Sequence, residues 1–283
     1  MWNRYAVRWM WNSYAVQQFS DNKELIMAIT KNDIKQLQSL RQAKGRRELG
    51  IFAVEGNKLV EELLKTKFRI NSIFVTEQWV EKNKSFANKN ADYEVITTKQ
   101  MEQITNFVTA PGIFATAAIP SFRITPKDAD HELILMLDGI NDPGNLGTIV
   151  RTADWFGIKK IVISEDTCDP WQSKVIQSTM GSIFRTQIME TNIVDFLKDV
   201  EAPVFGALMQ GKNLYQTQIN DNQGVIIIGS ESHGIRENVM PYISCPINIP
   251  RAKGSETESL NASMAAGIIM AEVFRRNFCG LQQ

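Results

Sequence analysis

The stretch Leu137 to Gly157, LDGINDPGNLGTIVRTADWFG, decides how the chain is read. An apolar run from Leu133 to Leu137 enters it, the turn Asn141-Asp142-Pro143-Gly144-Asn145-Leu146-Gly147 follows, and a helical pattern carrying Arg151 comes next. Asp, Pro, Asn and Gly crowd the point where a strand hands over to a helix, and α/β proteins place their sites at such turns. Asp142 and Pro143 suit a helix start, because proline tolerates the first turn and a carboxylate offsets its positive end. Gly144 and Gly147 allow a ligand or another backbone to come close. Ile149, Ala153 and Phe156 share one face and predict a buried stripe. Arg151 lies about 200° around the helix from Ile149, so it points away from that stripe, toward solvent or a site. Two later segments have the same form, VIIIGSESHGI (Val225 to Ile235) and INIPRAKGSETESLNASMAAGIIMAEVF (Ile247 to Phe274).

The 283 residues suffice for one large or two medium domains, and 43% apolar with 22% charged content supports an ordinary core. No apolar run approaches the roughly 20 residues of a membrane span. Cys168, Cys245 and Cys279 form no CxxC pair and no zinc-ligand spacing. Inert thiols in a reducing cytoplasm, with no metal, are therefore expected. Net charge is zero but unevenly spread. Residues 27–131 hold 16 basic against 12 acidic side chains, residues 132–283 hold 12 against 17, and residues 1–26 carry a balance of +1. A cluster at Arg41, Lys44, Arg46 and Arg47 lies in the basic half, where it can meet phosphates; a solvated helix end is the plainer alternative.

Residues 1–26 nearly repeat WNRYAVRW as WNSYAVQQ and carry no acid before Asp21. We read them as an extension outside both domains, with the folded chain beginning near Met27 and Thr30 or Asn32 capping a first helix. Residues 27–120 alternate strand and helix signals: IFAVEG, INSIFVT, YEVIT and GIFATAAI as strands, NKLVEELLKT as a helix. Ser121 to Asp130, with Pro120 and Pro126, reads as a linker, so that the units divide as 27–120, 121–131 and 132–283. Beyond the linker, LILML, KIVIS, APVFGAL, GVIIIG and CPINI alternate with helical stretches near 145–156, 171–179, 191–199 and 259–278. That alternation predicts an α/β fold with a mainly parallel sheet covered on both faces. Gly206 to Asn213 nearly spells a phosphate-binding P-loop, but Asn213 stands where Ser or Thr should hold magnesium. A dinucleotide dehydrogenase is weaker still, since no GxGxxG follows a strand.

In this order and at these distances, the three segments resemble the signature motifs of the SpoU (TrmH-like) family of RNA 2′-O-ribose methyltransferases, members of the SPOUT class. KVIQSTMGSIFR (Lys174 to Arg185) adds to the resemblance through Met180, Gly181 and Phe184, although Gln177 stands where arginine is frequent. Residues 27–120 resemble the L30e-like substrate-binding domain that precedes the catalytic domain in many members. The resemblance implies a C-terminal SPOUT domain with a parallel sheet and a trefoil knot, which periodicity alone would not suggest. It implies S-adenosyl-L-methionine as cofactor, RNA as partner and a homodimer in the cytoplasm, with neither membrane nor metal involved. It carries catalytic roles onto Arg151, Asn145, Glu231, Ser259 and Asn261, and cofactor contacts onto Leu208, Gly211, Gly229, Ile249 and Leu260. Arg41, Lys44, Arg46 and Arg47 become the expected RNA contacts. His233 matches no required position and reads as a spectator, and Arg251 replaces a common methionine at the pocket rim. The implied activity is ribose methylation of 23S rRNA. A tRNA substrate and a non-catalytic RNA-binding paralogue are the alternatives, and intact Asn145, Arg151, Ser259 and Asn261 argue against the second.

Overall fold

The computed structural model describes residues 29–87, 92–217, 219 and 223–280, the last five of these as backbone only. The extension at 1–26 and Met27 lie outside the described residues. Helix α1 (Lys31–Ser39) opens the described chain. Its cap is Thr30 rather than Asn32: Thr30 Oγ1 accepts from the Asp33 amide, and the Asp33 carboxylate accepts from the Thr30 amide.

The first unit continues through α2 (Ala43–Leu49), β1 (Ile51–Glu55), α3 (Asn57–Leu64), β2 (Ile70–Thr76), α4 (Glu77–Lys82), α5 (Lys84–Ala87), β3 (Glu94–Ile96), α6 (Thr98–Ile104) and β4 (Ile113–Ala118). Its strands stand in the order β1-β4-β2-β3, with β4 antiparallel to both neighbours and β2 parallel to β3. Leu59, Val60 and Leu63 form the buried face of α3.

The second unit comprises β5 (Leu133–Asp138), α7 (Pro143–Trp155), β6 (Lys160–Ile163), α8 (Ser173–Thr179), β7 (Gln187–Glu190), α9 (Ile193–Leu197), β8 (Val204–Asn213), β9 (Gly224–Gly229), β10 (Cys245–Asn248) and α10 (Ala262–Gly280). All six strands are parallel, in the order β10-β8-β9-β5-β6-β7. Successive side chains of β5 enter different cores. Leu133, Leu135 and Leu137 pack with Ile149, Ala153, Val175 and Ile269, whereas Ile134 and Met136 pack with Ile193, Phe196 and Val239. A strand buried on both faces reads as an unbroken apolar run, which is why it was visible in the sequence.

Two segments differ from expectation. Ser121 to Asp130 is not a free linker: Ile124 and Ala129 are buried in the second core, and Pro126–Asp130 is a 3-10 turn whose Asp128 holds Lys160 at 2.7 Å. Edge strand β7 was not foreseen, because QIME offers neither an apolar run nor flanking turn residues.

The two units share one core. Phe52 of β1 lies 4.8 Å, centroid to centroid, from Trp171, and Phe68 and Phe184 complete the aromatic cluster. Arg46 reaches across to Asp169 at 2.6 Å and also donates to the Leu40 carbonyl. Arg185 bridges Glu62 at 2.7 Å and Asp154 at 2.9 Å. The Glu62 carboxyl is held below its ordinary range by hydrogen bonds from Lys65 and Arg185. Burial pushes Asp154 up, but hydrogen bonds from Lys159, Arg185 and Ser182 outweigh it and leave that carboxyl lowered.

Arg46→Ala should leave a mostly buried Asp169 unpaired and destabilise the protein by about 3 kcal/mol. Lys44→Ala and Arg47→Ala, which break exposed 3.8 Å contacts, should each change stability by less than about 0.5 kcal/mol. Thermal unfolding of the three variants compares them, and equal effects would remove Arg46 from the joint between the units.

Candidate functional site

The site lies where β5 and β9 end side by side, with Asp138 paired to Gly229. Helix α7 starts from Asp142, whose Oδ1 accepts from the Asn145 amide at 2.8 Å. Helix α10 starts from Asn261, whose Oδ1 accepts from the amides of Ser263 and Met264. The two helices run alongside each other in the same direction. Asn145 meets Asn261, Thr152 faces Gly267, and Phe156 packs on Phe274. Their N-termini converge on Glu231. Its Oε1 accepts from Asn145 Nδ2 at 2.8 Å, from Asn261 Nδ2, and from the Ala262 amide at 3.4 Å. Asn261 Nδ2 also donates to Asn145 Oδ1 at 3.0 Å. Residues from three distant segments are thereby joined, and a carboxylate at a helix N-terminus is favourably placed against the macrodipole.

The loop carrying Glu231 is closed by reciprocal backbone hydrogen bonds between Ser230 and Gly234, each 3.0 Å. Gly229 is needed for that closure: a Cβ there would lie 2.2 Å from the Gly234 carbonyl carbon. Asp138, fully buried at the end of β5, accepts from the Arg236 amide at 2.8 Å, and its other oxygen lies 2.6 Å from Arg236 Nε. Arg236 also reaches Asp166 at 3.3 Å. The Asp138–Arg236 pair thus ties the loop's far end to the central strand. Sequence reasoning missed it; the available signal was an aspartate closing an otherwise apolar strand.

A cavity of about 580 Å³ opens beside this loop. Leu208, Ile228, Gly229, Ile249 and Leu260 line it, together with Glu231, Ser259, Glu258, Arg251 and His233. Of the expected cofactor residues, Gly211 alone is not part of the lining; a Cβ there would meet the Ile247 backbone at 2.7 Å, so it serves strand approach. Of the expected catalytic residues, Glu231 and Ser259 line the cavity, Asn145 and Asn261 reach it through Glu231, and Arg151 is exposed on α7 outside the lining. His233 sits at the rim with Nδ1 2.8 Å from Ser232 Oγ.

The volume suits a cofactor-sized molecule, within the usual range of roughly 300–1,000 Å³. Arg251 is the one lysine or arginine in the lining, against the two acids Glu231 and Glu258, a balance that fits a nucleoside bearing positive charge and not a polyphosphate. The P-loop reading fails structurally. Gly206 to Asn213 lies within β8, and only the 3-10 turn Leu214–Gln216 follows, so no helix N-terminus faces a phosphate there. The Cys168 thiol is pushed up to about 11 by burial and by Asp142 and Asp169, which keeps it protonated and inert. Among the described residues, no group of three or more His, Cys, Asp or Glu side chains is placed to hold a metal.

The basic cluster divides. Lys44 and Arg47 are exposed, and Arg41 is exposed while donating to the carbonyls of Gln103 and Thr105. Arg46 departs from the expectation of a phosphate contact: it is 3% exposed and its guanidinium is committed to Asp169.

Comparison with known proteins agrees with this geometry. Residues 132–271 match the SpoU rRNA Methylase family, and residues 31–115 match the MRM3-like substrate binding domain. A 23S rRNA (guanosine(2553)-2′-O)-methyltransferase of Bacillus subtilis is 28% identical over 84% of this chain and 94% of its own length. A solved structure from Porphyromonas gingivalis, assigned to the TrmH family of RNA methyltransferases, is 33% identical, with TM-score 0.76 over 88% of this chain and 99% of that one. An AdoMet-bound rRNA methyltransferase from Sinorhizobium meliloti is 26% identical, with TM-score 0.76 over 88% of this chain and 96% of that one. The chain belongs to the SpoU rRNA methylase family.

Proposed function

We propose that the protein transfers a methyl group from S-adenosyl-L-methionine to a ribose 2′-hydroxyl of rRNA, with 23S rRNA as the substrate class. The observation that carries this is the Glu231-centred network, which joins the three family motifs at the wall of a cavity fit for a nucleoside. The Bacillus relative supports the 23S assignment, and the AdoMet-bound relative supports the cofactor. Among the described residues no helix is long and apolar enough to cross a membrane.

S-adenosylmethionine supplies an electrophilic methyl on a positively charged sulfur. Leu208, Ile228, Ile249 and Leu260 offer the apolar walls that would hold its adenosine and exclude water, and Glu231 and Glu258 match its charge. Arginine is a poor base, with a pKa above about 12. Arg151 therefore acts mainly by holding the hydroxyl and the neighbouring phosphate, and positioning supplies much of the rate. Asn145 and Asn261 keep Glu231 in place, and Ser259 stands at the rim for the ribose. Arg151 lies outside the cavity of its own chain, while Trp155, Met264 and Phe274 leave much apolar surface exposed on α7 and α10. A homodimer covering those faces accounts for both, bringing Arg151 of one protomer toward the cavity of its partner. The unit built on the four-stranded sheet grips the RNA, with Arg41, Lys44 and Arg47 on its surface. What supports a trefoil knot in the six-stranded unit is the family match alone.

Calorimetry should find one S-adenosylmethionine bound per chain and no ATP with magnesium. Ile249→Ala and Leu260→Ala should each weaken that affinity about tenfold, the scale of a few lost apolar contacts. Gly229→Val is a poor probe because it breaks the loop's own closure. Binding of ATP in place of the methyl donor would overturn the assignment.

Arg151→Ala should leave cofactor affinity nearly intact and slow methyl transfer at least roughly 100-fold, with Arg151→Lys also poor because the planar fork is lost. Near-normal turnover in both would remove Arg151 from the mechanism.

A further inference from the structure

Glu55 closes β1 with its side chain almost fully buried, 3% exposed. Its carboxylate accepts from the Thr105 hydroxyl, from the Asn106 amide at 2.9 Å and from Asn106 Nδ2 at 2.7 Å, and Ser173 Oγ of α8 lies 3.4 Å away. These partners are all uncharged. Taking a carboxylate out of water for neutral donors is expensive, and here most of those donors belong to one loop, at Thr105 and Asn106. Thr105 Oγ1 in turn accepts from the Phe107 amide at 3.1 Å, so the backbone is fixed up to the tip. At the tip Phe107 keeps 36% of its surface exposed and Val108 all of it. A rigid turn that leaves Val108 in water and part of the Phe107 ring open presents an apolar tip that an external partner can cover.

The surrounding charge identifies the partner's chemistry. Exposed Arg41 donates to the Thr105 carbonyl at 2.8 Å, at the foot of the loop, and exposed Lys174 follows Ser173 on α8. Residues 106–110 carry no charge of their own. An apolar tip above an exposed arginine matches a polyanion with flat apolar faces, which is a nucleic acid with an unpaired base. The loop is also fixed relative to the proposed site. Ser173 ties it to α8, and α8 packs on α7 so closely that a Cβ on Gly147 would meet Ser178 Cβ at 2.4 Å.

We propose that the Glu55-anchored loop, through Phe107 and Val108, stacks on an unpaired nucleobase of the RNA and registers the strand against the site. This rests on the methyltransferase function proposed above. It adds binding residues that lie outside the basic cluster at Arg41 to Arg47 and that the charge pattern did not indicate.

The test uses full-length protein, an unmodified 23S rRNA transcript and S-adenosylmethionine. Phe107→Ala should weaken RNA affinity roughly 5- to 100-fold, the range for one stacked base, and raise KM for RNA. KM for S-adenosylmethionine should stay unchanged, the melting temperature should fall only modestly because the ring is partly covered, and Phe107→Trp should restore RNA affinity. If the wild type methylates the transcript and Phe107→Ala binds it equally well, the loop proposal is wrong and the methyltransferase assignment stands. If the wild type neither binds nor methylates rRNA, both fall. If Phe107→Ala changes only the sedimenting mass of the protein, the tip is an interface between copies of this chain and the proposal is overturned.

Discussion

A single carboxylate oxygen organises the catalytic half of this protein. Glu231 Oε1 receives donors from Asn145, Asn261 and the first amide of α10, groups 86, 30 and 31 positions away along the chain. Each donor belongs to the start of a helix. The carboxylate thus sits where two macrodipoles present their positive ends, a favourable place for an acceptor. It fixes where α7 and α10 begin, and their mutual packing from Thr152 and Gly267 to Phe156 and Phe274 follows. The cavity has Glu231 in its wall, so the pocket and the helix pair share one polar pin. The opposite end of the same loop is held by Asp138, buried in the central strand, through Arg236. The loop that lines the cavity is thereby clamped on both sides.

The joint between the two units has a different character. Phe52, Phe68, Trp171 and Phe184 make it an extension of the core, and Arg46–Asp169 and Arg185–Glu62 frame it with charge. Apolar burial gives the joint its stability, while the ion pairs fix its register, since a buried pair contributes little net energy but is costly to break. Held this way, the first unit keeps a set distance from the site, as the proposed grip on RNA requires. Glu55 adds to the same end, sitting between the loop at Thr105 and the helix at Ser173.

Much of this was legible in the sequence, and what was not has a physical pattern. The parallel strands were readable because burial on both faces leaves continuous apolar runs, as in Leu133 to Leu137. The turn at Asp142 and Pro143 announced its helix through capping chemistry that acts within four residues. Edge strand β7 left no such signal. Ile124 and Ala129 were hidden among prolines that read as a linker, because burial of two isolated residues has no period. Arg46 looked like a member of a surface cluster; its partner Asp169 is 123 positions away, and no local pattern carries that information. The Asp138–Arg236 pair, 98 positions apart, was unreadable for the same reason. The motif residues could be named from the family resemblance, but the contact between Asn145, Glu231 and Asn261 emerged only from the fold.

The central claim is the chemistry: methyl transfer to a ribose oxygen of rRNA. The most direct measurement is nucleoside mass spectrometry of ribosomal RNA from cells lacking the protein, before and after incubation with purified protein and S-adenosylmethionine. The account predicts one 2′-O-methylated nucleoside, absent from 23S rRNA of the deletion strain and restored by the protein. A methyl group restored on a base, or 23S rRNA with its 2′-O-methylation unchanged by the deletion, would contradict it.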